Sequence, residues 1–165
     1  MNKKMIQFLM AGAILILSPF ATAQTYDSEL MQYGIQFSPP SGWIKVNPQK
    51  EDTDIGFKHP QNKAVIAISY PRKANIASFQ MSLVMLRMNK KPKEKKIEFL
   101  GETCYVFDIE QTNSSGIKTF VRDYQFLKNN KLYTIDYISS ANDFDNYLLD
   151  FENSLSTFKI ITPNK

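Results

Sequence analysis

Residues 103–139 read TCYVFDIEQTNSSGIKTFVRDYQFLKNNKLYTIDYIS, and this stretch decides the architecture. Three runs rich in β-branched and aromatic residues, 103–111, 117–127 and 132–139, are separated only by residues 113–116 and by Asn129 with Asn130. Breaks this short join antiparallel neighbours, because a parallel return between strands needs about a dozen residues or more. A further extended run at 97–100, broken by Gly101 and Glu102, makes this half a four-stranded meander.

Upstream, residues 34–37 read as a short strand stopped by Pro39, Pro40 and Gly42, since proline cannot donate to a ladder. Residues 43–46 and 55–59 are extended on either side of a polar loop at 47–54, and a turn at 60–63 leads into 64–70. The unbroken apolar run Ala64, Val65, Ile66, Ala67, Ile68 predicts burial on both faces. The period then changes. Ile76, Phe79, Leu83 and Leu86 place one apolar stripe along a helix over 76–88, which Asn75 or Ser78 can cap. Downstream, Asn142 can cap a closing helix with Asp145 three residues on, and Phe144, Leu148, Phe151 and Leu155 form its stripe. Residues 157–161 end the fold as a short strand or extension. No repeat or low-complexity tract marks a second domain.

The first 23 residues have the grammar of a cleavable export signal: Lys3 and Lys4, an apolar run over 5–17, then Ser18 and Pro19 before the small residues Ala21 and Ala23. The run falls short of the roughly 20 apolar residues that span a membrane. Cleavage before Gln24, which is not a cysteine, leaves no lipid attachment point. The expected organisation is a signal peptide at 1–23, a flexible mature N-terminus at 24–33, one domain at 34–161 and a tail at 162–165. The product is periplasmic or secreted, with no transmembrane segment. The 165-residue chain carries +4, with 13% aromatic residues. Loss of Lys3 and Lys4 removes two charges and leaves +2. The single Cys104 permits no internal disulfide and is expected to be buried and inert in an oxidising compartment.

Recognisable catalytic chemistry is sparse. His59 is the only histidine, so no second one can share a metal and no triad has another base; between Lys58 and Pro60 it reads as an exposed turn residue. No phosphate loop, G-x-S-x-G elbow or H-E-x-x-H is present, and no cofactor is called for. The carboxylates Asp108, Glu110, Asp123 and Asp136 fall on successive strands. As a converging set they could carry a hydrolase. With Arg122 or Lys118 as cross-strand partners, Asp108 and Glu110 read instead as salt bridges on a solvated sheet face. The trio Asp52, Thr53, Asp54 has part of a calcium loop but lacks its glycine and terminal glutamate, and Asn113, Ser114, Ser115 form a sequon.

One constellation remains. Arg87, Lys90, Lys91, Lys93, Lys95 and Lys96 stand against Glu94 alone, a local +5 that leaves the rest of the mature chain acidic. The segment 87–96, interrupted by Pro92, reads as an exposed connection. It could meet an anionic surface or an acidic protein, or be a solvated loop whose first cations favour the carboxyl end of the preceding helix. Nucleic acid is excluded as a partner, since the protein is exported and the run holds no aromatic residue for base stacking.

The opening set Tyr33, Gly34, Phe37, Pro40, Gly42, Trp43 and the closing set Leu155, Thr157, Phe158 resemble the PsbP-like fold family, which includes PsbP, DcrB and a Ran-binding protein. The resemblance spans residues 33–160. It implies an α+β fold, a twisted and mainly antiparallel sheet flanked by helices as an αβα sandwich. It also implies a non-catalytic binding or accessory role in the cell envelope, with an unknown envelope protein or an anionic surface as partner. It transfers no functional residue.

Overall fold

The computed structural model describes residues 27–46, 55–112 and 116–162. The stretch read as an export signal, residues 47–54 with Asp52 and Asp54, and the sequon at 113–115 lie outside them. In chain order the elements are α1 (Ser28–Gln32), β1 (Ile35–Gln36), β2 (Ile44–Val46), β3 (Ile55–Lys58), β4 (Ala64–Ile68), β5 (Arg72–Lys73), α2 (Ile76–Lys90), β6 (Lys93–Phe99), β7 (Glu102–Thr112), β8 (Lys118–Lys128), β9 (Lys131–Ser140), α3 (Phe144–Leu155) and β10 (Lys159–Ile160). Eight strands form one sheet in the order β2-β3-β4-β9-β8-β7-β6, with β5 continuing beside β4 along β9. All its pairs are antiparallel. β1 and β10 form a separate antiparallel pair that ties the two ends of the domain together.

The meander closes through tight turns. Asn129 and Asn130 both take positive φ, at 52° and 55°, and so do Leu100 and Gly101 at 53° and 77°; two successive positive φ values give the turn whose twist matches a hairpin. The first break is therefore at 100–101 rather than at Gly101 and Glu102. Leu100 tolerates the left-handed backbone while packing against the main core.

Period-two alternation sends the strands' side chains to two cores. On one face Cys104, Val106, Tyr124, Phe126, Tyr133, Ile135 and Tyr137 meet Phe151, Leu155 and Phe158. On the other, Phe107 and Ile109 meet Phe79 and Leu83 of α2. Helices thus cover both faces, as the sandwich requires.

Four local expectations need correction. The stretch expected to be flexible at 24–33 holds α1, because Asp27 accepts from the backbone N–H of Glu29 and Leu30 and because Leu30 is fully buried. In β4, Ala64, Ile66 and Ile68 are buried while Val65 and Ala67 are only half-buried, so the apolar run is fully buried on one face alone. Ile76 is exposed, off the inward stripe of α2. The N-cap of α3 is Asp143, in helical geometry with no side-chain cap bond, rather than Asn142. The cap of α2 does match: Asn75 accepts from the N–H of Ser78, whose hydroxyl accepts in return from the N–H of Asn75.

Candidate functional site

The segment 87–96 is not a loop. α2 runs on to Lys90, Lys91 caps it in the left-handed conformation at φ 46° with its N–H donating to the Arg87 carbonyl, Pro92 bars continuation, and β6 begins at Lys93. Arg87 fixes this turn, its Nε and Nη2 donating to the two carboxylate oxygens of Glu94 at 2.7 and 2.8 Å. The guanidinium beside Glu94 holds that carboxyl below its ordinary range, against the opposing effect of burial.

A strand cannot present consecutive residues on one side, so the basic run divides. Lys93 and Lys95 share the α3 face, opposite Asp108 and Val106 of β7. Lys96 lies on the α2 face, its ammonium 5.1 Å from the Tyr105 ring centre, with Arg87 at 5.7 Å from the same ring. The six cations are thus divided between the two faces of the sheet.

Three of them line a cleft of about 380 Å³ between the α2–β6 turn and the start of α3. Lys90, Lys91 and Lys93 make one wall, Asp108, Glu110 and Asp145 contribute carboxylates, and Phe120 with Phe144 lies between. The two rings are 5.7 Å apart, and Arg122 sits 5.6 Å over Phe144. Arg122 is directly across from Asp108 in the register and donates to both its oxygens, at 2.7 and 2.9 Å; Nη1 also donates to Glu152 at 3.4 Å. The Asp108 hydrogen bonds hold the guanidinium above its ordinary value, against burial. Lys118 donates to Glu110 at 2.7 Å. Both carboxylates are therefore neutralised by the partners that cross-strand spacing points to, whereas Lys90, Lys91 and Lys93 form no ion pair with any described residue.

Asp123 and Asp136 are on the opposite face. They pair directly across β8 and β9, next to Phe107 of β7 and beneath α2. Asp123 is buried, accepts from the Gln125 amide at 2.7 Å, and has an Oδ1 without a donor. Desolvation pushes its carboxyl up to about 6, while hydrogen bonds from Gln125 and Asp136 pull it back. The four carboxylates considered as a hydrolase set are thus divided by the sheet into two pairs. Among the described residues no cluster of three His, Cys, Asp or Glu could hold a metal ion.

His59 is not an exposed turn residue. Its ring is half-buried between Tyr147 at 4.3 Å and Trp43 at 5.8 Å, and Nδ1 accepts from the Gln61 N–H. Cys104 is fully buried, and burial pushes its thiol up to about 12. Phe120, Phe144 and Asp145 are the cleft residues that sequence patterning misses. Phe144 reads as core, and only the packing of α3 on the sheet places it beside Arg122.

No protein-family model matches the sequence, nor does any curated protein. Solved structures do match the fold. Cyanobacterial PsbP (CyanoP) from Synechocystis is 12% identical, with a TM-score of 0.55 over 82% of this chain and 90% of that one. LpqN, involved in cell envelope biogenesis of Mycobacterium tuberculosis, is 10% identical, with a TM-score of 0.55 over 78% of this chain and 83% of that one. A protein of unknown function from Pseudomonas aeruginosa is 12% identical, with a TM-score of 0.53 over 74% and 98%. At these identities the likeness is one of fold.

Proposed function

We propose that this chain, whose fold is PsbP-like, is an exported, non-catalytic binding or accessory protein of the cell envelope. It holds its partner at the cleft between the α2–β6 turn and α3. The observation that carries this reading is the balance of charge in the cleft. Asp108 and Glu110 are each held by a cation, and the sheet keeps both apart from Asp123 and Asp136, so the four carboxylates do not converge as an acid/base pair must. The three lysines opposite have no such partner among the described residues and stand beside two aromatic rings, an arrangement suited to recognition. The envelope role of LpqN, a structure of the same fold, supports the same compartment. No helix among the described residues is long and apolar enough to cross a membrane.

The test is photo-cross-linking in the envelope fraction, with the reactive side chain placed at Asp145 on the cleft or at Leu149, exposed one turn further along α3. A discrete adduct from position 145 and none from 149 is the expected result. Equal labelling, or none at 145, contradicts it.

A further inference from the structure

Among the described residues β6 ends the sheet and pairs with β7 alone, so alternate backbone N–H and C=O groups along its seven residues point away from the sheet with no neighbouring described strand. Lys93, Glu94, Lys95, Lys96 and Glu98 are all exposed. The edge carries three lysines, of which Lys93 and Lys95 share the face that opens into the cleft, and Glu94 is engaged by Arg87.

We propose that β6 is a docking edge for an extended acidic segment of a protein partner. The segment adds to the sheet as a further strand and carries its carboxylates at alternate positions. This rests on the binding role above and names the partner's chemistry. Two observations select that occupant. First, lysines along a sheet edge repel a second copy of the same edge, because pairing would set like charges opposite one another. The same lysines complement a strand of opposite charge. Second, Lys90 and Lys91 carry the positive charge on past the start of β6, so the run of lysines is longer than the edge itself. Backbone hydrogen bonds hold such a strand, and the side chains on one of its faces select it. A membrane surface fits less well, since strand alternation turns Lys96 away from Lys93 and Lys95.

The purified protein is titrated with a short fluorescent peptide alternating glutamate with threonine, and with the same peptide N-methylated at alternate positions. N-methylation keeps every charge and removes the donors a docked strand uses. Saturable binding that weakens about tenfold on N-methylation, and about tenfold in the Lys93→Gln/Lys95→Gln/Lys96→Gln variant with a shallower salt dependence, is the expected result. The methylated peptide tests the backbone contact without touching the protein's stability. Equal binding of the two peptides overturns the proposal, because charge alone then explains the attraction. It is also overturned if the chain dimerises through this edge, or if vesicles of anionic lipid bind while the peptide does not. Peptide failure with cross-linking at position 145 intact removes the acidic strand and leaves the binding role; failure of both removes the two together.

Discussion

Asp123 and Asp136 face each other in direct register across the central strands β8 and β9, and Asp123 is only 5% exposed. Exclusion of water opposes the ionisation of Asp123, and the hydrogen bonds from Gln125 and Asp136 only partly offset it. Burial raises the Asp123 carboxyl to about 6 from 3.8. A folded value above the unfolded one means that the folded state favours the proton. The contribution of this group to stability is then greatest below about pH 4, and falls as pH rises through about 6. Above that the ionised group costs on the order of 3 kcal/mol. Asp123→Asn should therefore melt higher than wild type at pH 7.5 and match it near pH 4, by calorimetry. A variant less stable at pH 7.5 would show that the carboxylate is compensated.

Phe151 is fully buried, stacked on Tyr137 with ring centres 5.1 Å apart and tilted against Tyr124 at 5.7 Å. Phe151→Ala should cost about 3 to 5 kcal/mol in denaturant unfolding. Leu149→Ala, on the exposed side of α3, should cost no more than about 0.5 kcal/mol. Similar losses would mean that α3 does not use the face described.

The inward stripe of α3 and the meander are legible in the sequence because each rests on local periodicity and on turn residues that permit positive φ. Phe151 and Asn129 carry their roles without tertiary information. The cleft is less legible. Its walls come from a helix cap, an edge strand and a helix start, and composition at 87–96 predicts a solvated connection because lysine is a poor marker of strands. Only tertiary pairing with Asp108 makes Lys93 extended. α1 escapes detection for a related reason: five residues carry too little pattern, and Leu30 gains its burial from distant parts of the chain.

The Arg87–Glu94 pair joins the last turn of α2 to β6 but is partly solvent-exposed, so its removal should change stability by less than about 1 kcal/mol. Its effect is on order. Glu94→Gln should raise amide hydrogen exchange at residues 91–95 while the melting temperature stays nearly constant. Unchanged exchange would show that Pro92 and the strand pairing hold the turn without it.

Export predicts a mature chain beginning at Gln24, because Ala21 and Ala23 suit the signal peptidase. Intact-mass measurement of protein from the envelope fraction reads this directly. Recovery of a membrane-embedded form that retains Met1 would contradict it.

The central claim is that the cleft holds the partner through Lys90, Lys91 and Lys93. Its most direct measurement compares cross-linked adduct from position 145 between the otherwise unaltered chain and the Lys90→Gln/Lys91→Gln/Lys93→Gln variant, with melting temperatures recorded alongside. The account predicts about a tenfold loss of adduct, eased by low salt, at nearly constant melting temperature. Undiminished adduct from a stably folded variant would contradict it.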